Sequence, residues 1–507
     1  MAWCIEQAEQ RTAPIGKAGS TASGAASRPM EQLEDGGRQS GVGGGERWRL
    51  KVAGRRELRW RQEKTRLRGG KTKLSSAMQA GAAPTRNEWR PQRIRFRATF
   101  HEYTSVVYLF HPPATPKQAI LETGLAKALG VYREWAGRLG MGNRAILLND
   151  AGARLITATA DVALSSVTLL EQTPELQSLC PNNNGHDDAE ELLLIQITRF
   201  PCGSFAVSST TSHLVADGHS VFRFIIDWGK ATRGAAIDPV PVNDRMSIVA
   251  PRNPPRVEFE HRGVEFVRHG ELRTNQMVSK DKVVVHRVHF TLEMLSKLKS
   301  HVPVLVGSSQ PYTTLQCVVA HLWRCITKAR GLSSDQATRL IIPVNGRRRM
   351  IHQRVPEEYA GNFVLWAQPT ITAGELLGRP LWHTVELVSR EVARIDDRYF
   401  RSFIDFASSE AVEDEGLLPI TALEEAWDAS NFVYVSNLKG IPTYDLDFGD
   451  GRPFFCTRCY PPMGGYVFIM PTLSRDGSMD VQVCLRSGAM EIFKDCCYSL
   501  RQPNAKL

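Results

Sequence analysis

The chain has 507 residues, of which 42% are hydrophobic, so it is long enough for one large or two medium folded domains. Its formal net charge of +10 suggests nucleic-acid binding, but residues 1–100 hold 21 Lys and Arg against nine Asp and Glu. The other 42 basic and 44 acidic residues carry a net charge of −2, so the basicity does not belong to the predicted folded body. No apolar run reaches membrane-spanning length and no secretory pattern is present, which predicts a soluble, cytoplasmic protein without a membrane partner.

Residues 1–97 are rich in Gly, Ser, Ala, Arg and Gln and lack periodic apolar residues. Such a segment cannot bury enough apolar surface to offset the entropy cost of ordering, which predicts a disordered basic extension. A basic arm that binds nucleic acid is an alternative, although no recognition module is present. A transit peptide is another, but its acidic residues argue against it.

Mixed α/β patterning begins near Thr99. Strands are predicted at residues 105–110 and 192–197, and residues 147–156 read as two strands joined by an Asn/Asp/Gly turn. A helix is predicted from about residue 116 to Trp135. Strands interleaved with helices predict a first α/β domain over residues 98–234.

The Pro- and charge-rich stretch 235–281 is typical of a crossover linker, and a second α/β domain is predicted over residues 282–507. Its expected elements are a strand at 283–290, a helix capped by Thr313, a strand at 340–345, helices at 381–406, a strand at 432–436, a hairpin near 475–477 and a helix at 490–498.

The most informative stretch is His213-Leu-Val-Ala-Asp217-Gly218. Apolar and polar residues alternate before it, which predicts a strand, and Gly218 precedes a helical pattern. His213 is therefore expected where a strand ends and a turn begins, a position from which side chains often project into a cleft. Because the pattern is short, a histidine held structurally at the strand end is the alternative.

Far downstream the chain reads Asp447-Phe-Gly449-Asp450-Gly451. The two stretches, in this order and separation, resemble the HxxxD and DFGWG signatures of the plant BAHD acyl-CoA-dependent acyltransferases, from about Thr99 to Leu500. The resemblance implies two chloramphenicol-acetyltransferase-like domains with mixed sheets and an active-site channel between them. It also implies acyl-CoA as co-substrate and no bound cofactor. The strand with which the family opens has no recognisable counterpart before Tyr103.

The resemblance implies that His213 is the general base and that Asp217 is structural, paired with Arg347. A second histidine, His219, is the alternative candidate for the role of general base. No acyl-enzyme is expected, because no nucleophile signature such as G-x-S-x-G appears.

In the downstream loop, the resemblance implies that Asp447, Gly449 and Gly451 keep the loop shape. Asp450 replaces the family's tryptophan. A carboxylate near the thioester would attract a cationic acceptor, which predicts an amine. The alternative is that Asp450 only closes its own turn.

Residues 132–139 and 213–220 most resemble the N-acyltransferases that use hydroxycinnamoyl- or benzoyl-CoA. The acceptors implied are agmatine, tryptamine, tyramine and putrescine, with a monomeric enzyme and no nucleic-acid partner. O-acylation of shikimate, quinate or another alcohol is the runner-up. A fold retained without activity and nucleic-acid binding through the N-terminal extension are the remaining alternatives.

The 10 cysteines are scattered and are expected to be reduced thiols. One C-x-x-C, Cys456 to Cys459, and the adjacent Cys496 and Cys497 lack a second ligand pair, so no metal site is predicted. His321, on the helix capped by Thr313, is expected to be structural.

Overall fold

The computed structural model describes the backbone of residues 61–67 and the residues 103–112, 116–140, 146–167, 172–181, 191–268, 282–303, 312–420, 431–459, 464–470, 472, 474 and 476–499. All of them lie within residues 45–507, one of the two units into which the chain divides. The expected domain boundaries near residues 98, 234 and 281 stay predictions.

The strands, numbered in chain order, are β1 Arg61–Leu67, β2 Tyr103–Phe110, β3 Arg138–Leu139, β4 Ile146–Leu147, β5 Ala153–Thr159, β6 Leu193–Arg199, β7 Phe205–Ser212, β8 Phe266–Arg268, β9 Val283–Phe290, β10 Ala337–Asn345, β11 Val364–Ala367, β12 Thr370–Thr372, β13 Leu417–Pro419, β14 Phe432–Asn437, β15 Phe455–Arg458, β16 Tyr466–Met470 and β17 Met479–Arg486.

The α-helices are α1 Gln118–Val131, α2 Pro174–Ser178, α3 Gly218–Thr232, α4 Arg245–Ile248, α5 Leu292–Ser300, α6 Thr314–Arg330, α7 Ala373–Gly378, α8 Leu381–Arg394, α9 Asp397–Ala407, α10 Ala411–Asp414 and α11 Ser487–Cys497. Among these helices, none is both long and apolar enough to cross a membrane.

Two large mixed sheets organise these elements, as the resemblance implied. The first has the order β1-β5-β6-β7-β2-β15, and the second has the order β11-β10-β14-β16-β17-β9, with β12 paired to β10. Strand β15 comes from the second half of the sequence but pairs with β2, so that Phe455 lies opposite Leu109. The first sheet therefore depends on a segment more than 300 residues away in the chain.

One strand lies inside the stretch for which disorder was expected. Strand β1 pairs antiparallel with β5 over its full length, from Arg61 opposite Thr159 to Leu67 opposite Ala153. It forms an edge of the first sheet, whose opening strand the sequence did not reveal before Tyr103. The other residues of the predicted extension lie outside the described ranges, and their disorder and any nucleic-acid binding stay predictions.

The two strands predicted within residues 147–156, joined by an Asn/Asp/Gly turn, are confirmed as β4 and β5, but they do not pair with each other. Strand β4 pairs with β3, whereas β5 pairs with β1 and β6, so the turn between β4 and β5 joins strands of different sheets. Asp150 and Gly152 have positive φ angles in this turn. The guanidinium of Arg138 donates a hydrogen bond of 2.7 Å to the Gly152 carbonyl, which holds the turn against β3.

Helix α3, which begins directly after the His213 turn, packs against α1. The indole of Trp228 donates to the Leu121 carbonyl at 3.0 Å, and the Tyr132 hydroxyl donates to Asp227 at 2.6 Å. The helices meet at Gly124, where a Cβ atom would lie 2.7 Å from the Cα of Thr232. This close approach sets the distance between α1 and α3. Because α3 begins directly after the turn that carries His213, the packing also positions that turn.

Two glycines of α1 test this packing. We expect Gly124→Ala to lower the free energy of unfolding by roughly 1–3 kcal/mol, because the new methyl group meets backbone that cannot move aside. Gly130 is the matched control, since nothing lies within 4 Å of its Cβ position. Gly130→Ala should be neutral or stabilise by up to about 1 kcal/mol through helix propensity. Urea unfolding of both variants checks this, and equal effects would contradict the packing argument.

Candidate active site

His213 immediately follows β7 and lines a cavity of about 450 Å³. The cavity wall includes Thr104 of β2 from the first sheet, and Trp366 and Tyr434 of β11 and β14 from the second. The Asn362 amide donates to the carbonyl of His213 at 2.9 Å, which fixes the backbone of the turn. The predicted position of His213, at a strand end facing a cleft, is confirmed.

Burial lowers the pKa of His213 below its ordinary value of 6.5. The negative charge of Asp217 opposes this shift, and the positive charge of Arg458, which also lines the cavity, adds to it. The imidazole is therefore neutral at physiological pH, the form that can accept a proton.

Asp217 is committed to structural contacts. It caps α3 by accepting a hydrogen bond of 3.0 Å from the Ser220 amide, and it accepts another of 2.9 Å from the Phe363 amide. Arg347 donates to both of its oxygens, at 2.7 and 3.3 Å. Burial alone would raise the pKa of Asp217, but the charge and hydrogen bonds of Arg347, with the two amides, hold it below its ordinary value.

The Arg347 side chain is itself buried and satisfied. It donates to the carbonyls of Tyr359 and Gly361 at 2.8 and 2.7 Å and to the Ser220 hydroxyl at 2.9 Å. These contacts join the start of α3 to residues 359–363, the segment that directly precedes β11. That segment also carries Asn362, so the ion pair and the His213 turn are parts of one network.

The chain matches one family model, described as the Transferase family, over residues 97–500. It is 53% identical over 421 residues to agmatine coumaroyltransferase-1 of Hordeum vulgare, covering 81% of this chain and 93% of that protein. It is 50% identical over 432 residues to agmatine hydroxycinnamoyltransferase 1 of Oryza sativa subsp. japonica, covering 83% and 95%. Among solved structures, vinorine synthase shares the fold, with a TM-score of 0.62 at 18% identity over 85% of this chain and 96% of that one.

The chain belongs to the BAHD Transferase family. It is an acyl-CoA-dependent acyltransferase with the mixed α/β fold of that family, as the HxxxD and DFG stretches indicated. The family uses acyl-CoA as co-substrate.

The DFGDG loop of this BAHD protein is shaped by Asp447. Its carboxylate accepts hydrogen bonds from the amides of Gly449 and Gly451, at 2.8 and 3.3 Å, and its carbonyl accepts one from Arg233. Gly449 and Gly451 have φ angles of 120° and 115°, which side-chain-bearing residues rarely adopt. The loop-shaping role proposed for these three residues fits this geometry.

Asp450 is exposed and is not among the residues that line the cavity. The hypothesis that its charge selects the acceptor therefore lacks a structural basis, and the alternative, that it belongs only to its own turn, fits better. The cavity wall runs instead through residues 436–438 and 440–442, just before this loop.

The competing histidine, His219, also lines the cavity, but its Nε2 lies 2.9 Å from the Glu357 carbonyl. That ring nitrogen is engaged by backbone, which disfavours it as the base. His321 is buried on α6, with its Nε2 2.7 Å from the Cys497 carbonyl, in a structural position. Among the described residues, no group of three His, Cys, Asp or Glu side chains is arranged to hold a metal ion.

Sequence reasoning assigned no role to three residues that line the cavity: Asn362, Glu357 and Arg458. Asn362 belongs to the stretch Tyr359-Ala-Gly-Asn-Phe363, which resembles the YFGN stretch of the BAHD family with alanine in place of its phenylalanine, and this was a usable signal. Glu357 and Arg458 carried no local signal, since a charged residue in a loop or at a strand end is ordinarily solvated.

A double-mutant cycle tests the buried pair. We expect Asp217→Ala and Arg347→Ala each to lower the free energy of unfolding by about 3–5 kcal/mol, because each leaves a buried charge unpaired. The double variant should lose less than the sum. The stabilisation due to the low pKa of Asp217 is present above the unfolded-state pKa and is lost as pH falls through the folded-state value.

The control for this cycle is the exposed pair Glu491 and Lys494, one turn apart on α11 at 2.9 Å, which should show no measurable coupling. Additive losses for Asp217 and Arg347 in urea unfolding at pH 7 would contradict the pairing.

Proposed function

We propose that the protein transfers a hydroxycinnamoyl or benzoyl group from a CoA thioester to an amine such as agmatine, putrescine, tryptamine or tyramine. The observation that carries this proposal is the high identity to relatives named for agmatine, over nearly their whole length. A relative named for putrescine, 40% identical, supports the same acceptor class. His213 is the general base, and Asp217 with Arg347 positions its turn.

The reaction needs one proton acceptor and no covalent enzyme intermediate. The amine nitrogen attacks the thioester carbonyl, a C–N bond forms, and the nitrogen loses a proton to Nε2 or Nδ1 of His213. The C–S bond of the tetrahedral intermediate then breaks, and the proton passes to the departing sulfur, which leaves as free CoA. The lowered pKa of His213 keeps the imidazole neutral before attack and lets the imidazolium give up its proton afterwards.

Burial around His213 favours the reactive form of the acceptor. The desolvation that lowers the pKa of His213 also disfavours an ammonium group placed beside that imidazole. An amine bound there would lose its proton more readily than in water, which supplies the free base that attack requires.

Arg458, which lines the cavity, supports a second candidate function, O-acylation of a carboxylated alcohol such as shikimate or quinate. A guanidinium in the cavity would attract the carboxylate of such an acceptor. The relatives' names favour the amine. A fold retained without activity is disfavoured by the intact His213 network.

An acceptor panel tests the proposal. The purified protein is incubated with coumaroyl-CoA or benzoyl-CoA and with each of agmatine, putrescine, tryptamine, tyramine, shikimate and quinate. Released CoA thiol and product mass are measured. We expect kcat/KM for the best amine to exceed that for either acid by at least about tenfold, which corresponds to about 1.4 kcal/mol. Acylation of shikimate or quinate in preference to every amine would refute the proposal. No transfer to any acceptor would also refute it and would favour a fold retained without activity.

His213→Ala tests the base. We expect a loss of about 10²–10⁴-fold in kcat/KM, with folding and coumaroyl-CoA binding retained, and a smaller loss for His219→Ala. In the wild type, kcat/KM calculated per free-base amine should fall as pH drops through the lowered pKa of His213, below 6.5. The variant should lack this acidic limb. More than a tenth of wild-type activity in His213→Ala would rule out the role.

A further inference from the structure

The cavity contains two carboxylates among its described lining residues, Asp217 and Glu357. The carboxylate of Asp217 accepts hydrogen bonds from Arg347 and from two backbone amides, so it is not available to bind a ligand. Glu357 differs, because its side chain is 40% exposed and its short contact is with the exposed Arg348. A cationic ligand in this cavity therefore has one carboxylate with which to pair.

The position of Glu357 is fixed although its carboxylate is accessible. Its carbonyl lies 2.9 Å from His219 Nε2, and it stands between the buried residues Val355 and Tyr359. The Tyr359 carbonyl is in turn bound by Arg347. The backbone on which Glu357 stands is thus anchored to the same network that positions the His213 turn.

The two oxygens of Glu357 have different surroundings. Oε1 accepts a hydrogen bond of 2.6 Å from Nε of Arg348, whose side chain is 80% exposed. Oε2 has only His219 Nε2 near it, at 3.7 Å, among the described residues. An exposed pair of this kind is weak, so a ligand cation can share or replace the contact with Arg348 at little cost.

We propose that Glu357 binds the distal cationic group of a diamine-type acceptor, a guanidinium or a second ammonium, while the reacting amine lies at His213. This assignment rests on the proposed amine acylation and deepens it by separating two acceptor classes. Burial disfavours a charged group beside His213, whereas Glu357 offers a partly exposed carboxylate elsewhere in the cavity. This difference orients an acceptor that has a cation at its far end.

The experiment compares agmatine with n-pentylamine, which has a similar chain without the guanidinium. We expect Glu357→Gln to raise KM for agmatine by about five- to tenfold with little change in kcat, and Glu357→Lys to raise it further. Neither variant should change kcat/KM for n-pentylamine by more than about twofold. The split between the two acceptors is a readout that a general structural defect would not produce.

Glu358→Gln is the matched control. Glu358 is the next residue and carries the same charge, but its carboxylate lies 3.8 Å from Arg223 and does not line the cavity. It should leave both KM values unchanged. An unchanged agmatine KM in both Glu357 variants, an equal loss with n-pentylamine, or an equal effect of Glu358→Gln would overturn the assignment. Acylation of n-pentylamine by the wild type in any of these cases would show that amine transfer itself stands.

Discussion

The site depends on a buried ion pair between Asp217 and Arg347, two side chains 130 residues apart in the chain. Each charge would be expensive to bury alone, so the start of α3 and the segment before β11 are stable in this arrangement only when they meet. The same carboxylate caps α3, and the same guanidinium holds the carbonyls of Tyr359 and Gly361. Asn362 then binds the His213 carbonyl. The turn that carries His213, the proposed general base, is thus held by a charge pair that lies outside the proton transfer of the proposed mechanism.

Much of the local structure could be predicted from periodicity. The expected strand at 283–290 matches β9, and the expected strand before His213 is β7, because alternation and a following glycine are local signals. The two strands and the turn within residues 147–156 were predicted as well, but a turn sequence does not say which strands its neighbours pair with, and β4 and β5 belong to different sheets. Strand β4 pairs with β3, and Arg138 of β3 binds the turn that follows β4.

The site was also predictable only in part, because residues far apart in the sequence form it. His213, Asp217 and Arg347 were found through resemblance, whereas Glu357 and Arg458 reach the cavity through long-range placement. Arg458 ends β15, which joins the first sheet by pairing with β2. Asp450 shows the converse case, since a changed residue in a motif suggested a role that its exposed position outside the cavity lining does not support. Position in the motif indicated the loop, but only the fold shows which side chains line the cavity.

Strand β1 shows where composition misleads. Its sequence, Arg-Gln-Glu-Lys-Thr-Arg-Leu, has almost no apolar residues, and such a segment lacks the hydrophobic content that predicts order. A strand at a sheet edge, however, is held by backbone hydrogen bonds, which any sequence without proline can form. Charged residues are also common on edge strands, where they oppose pairing with other chains. The polar composition that argued for disorder is therefore compatible with an edge strand beside β5. Strand β1 is stabilised there by hydrogen bonds to the backbone edge of β5, which the composition of β1 does not reveal.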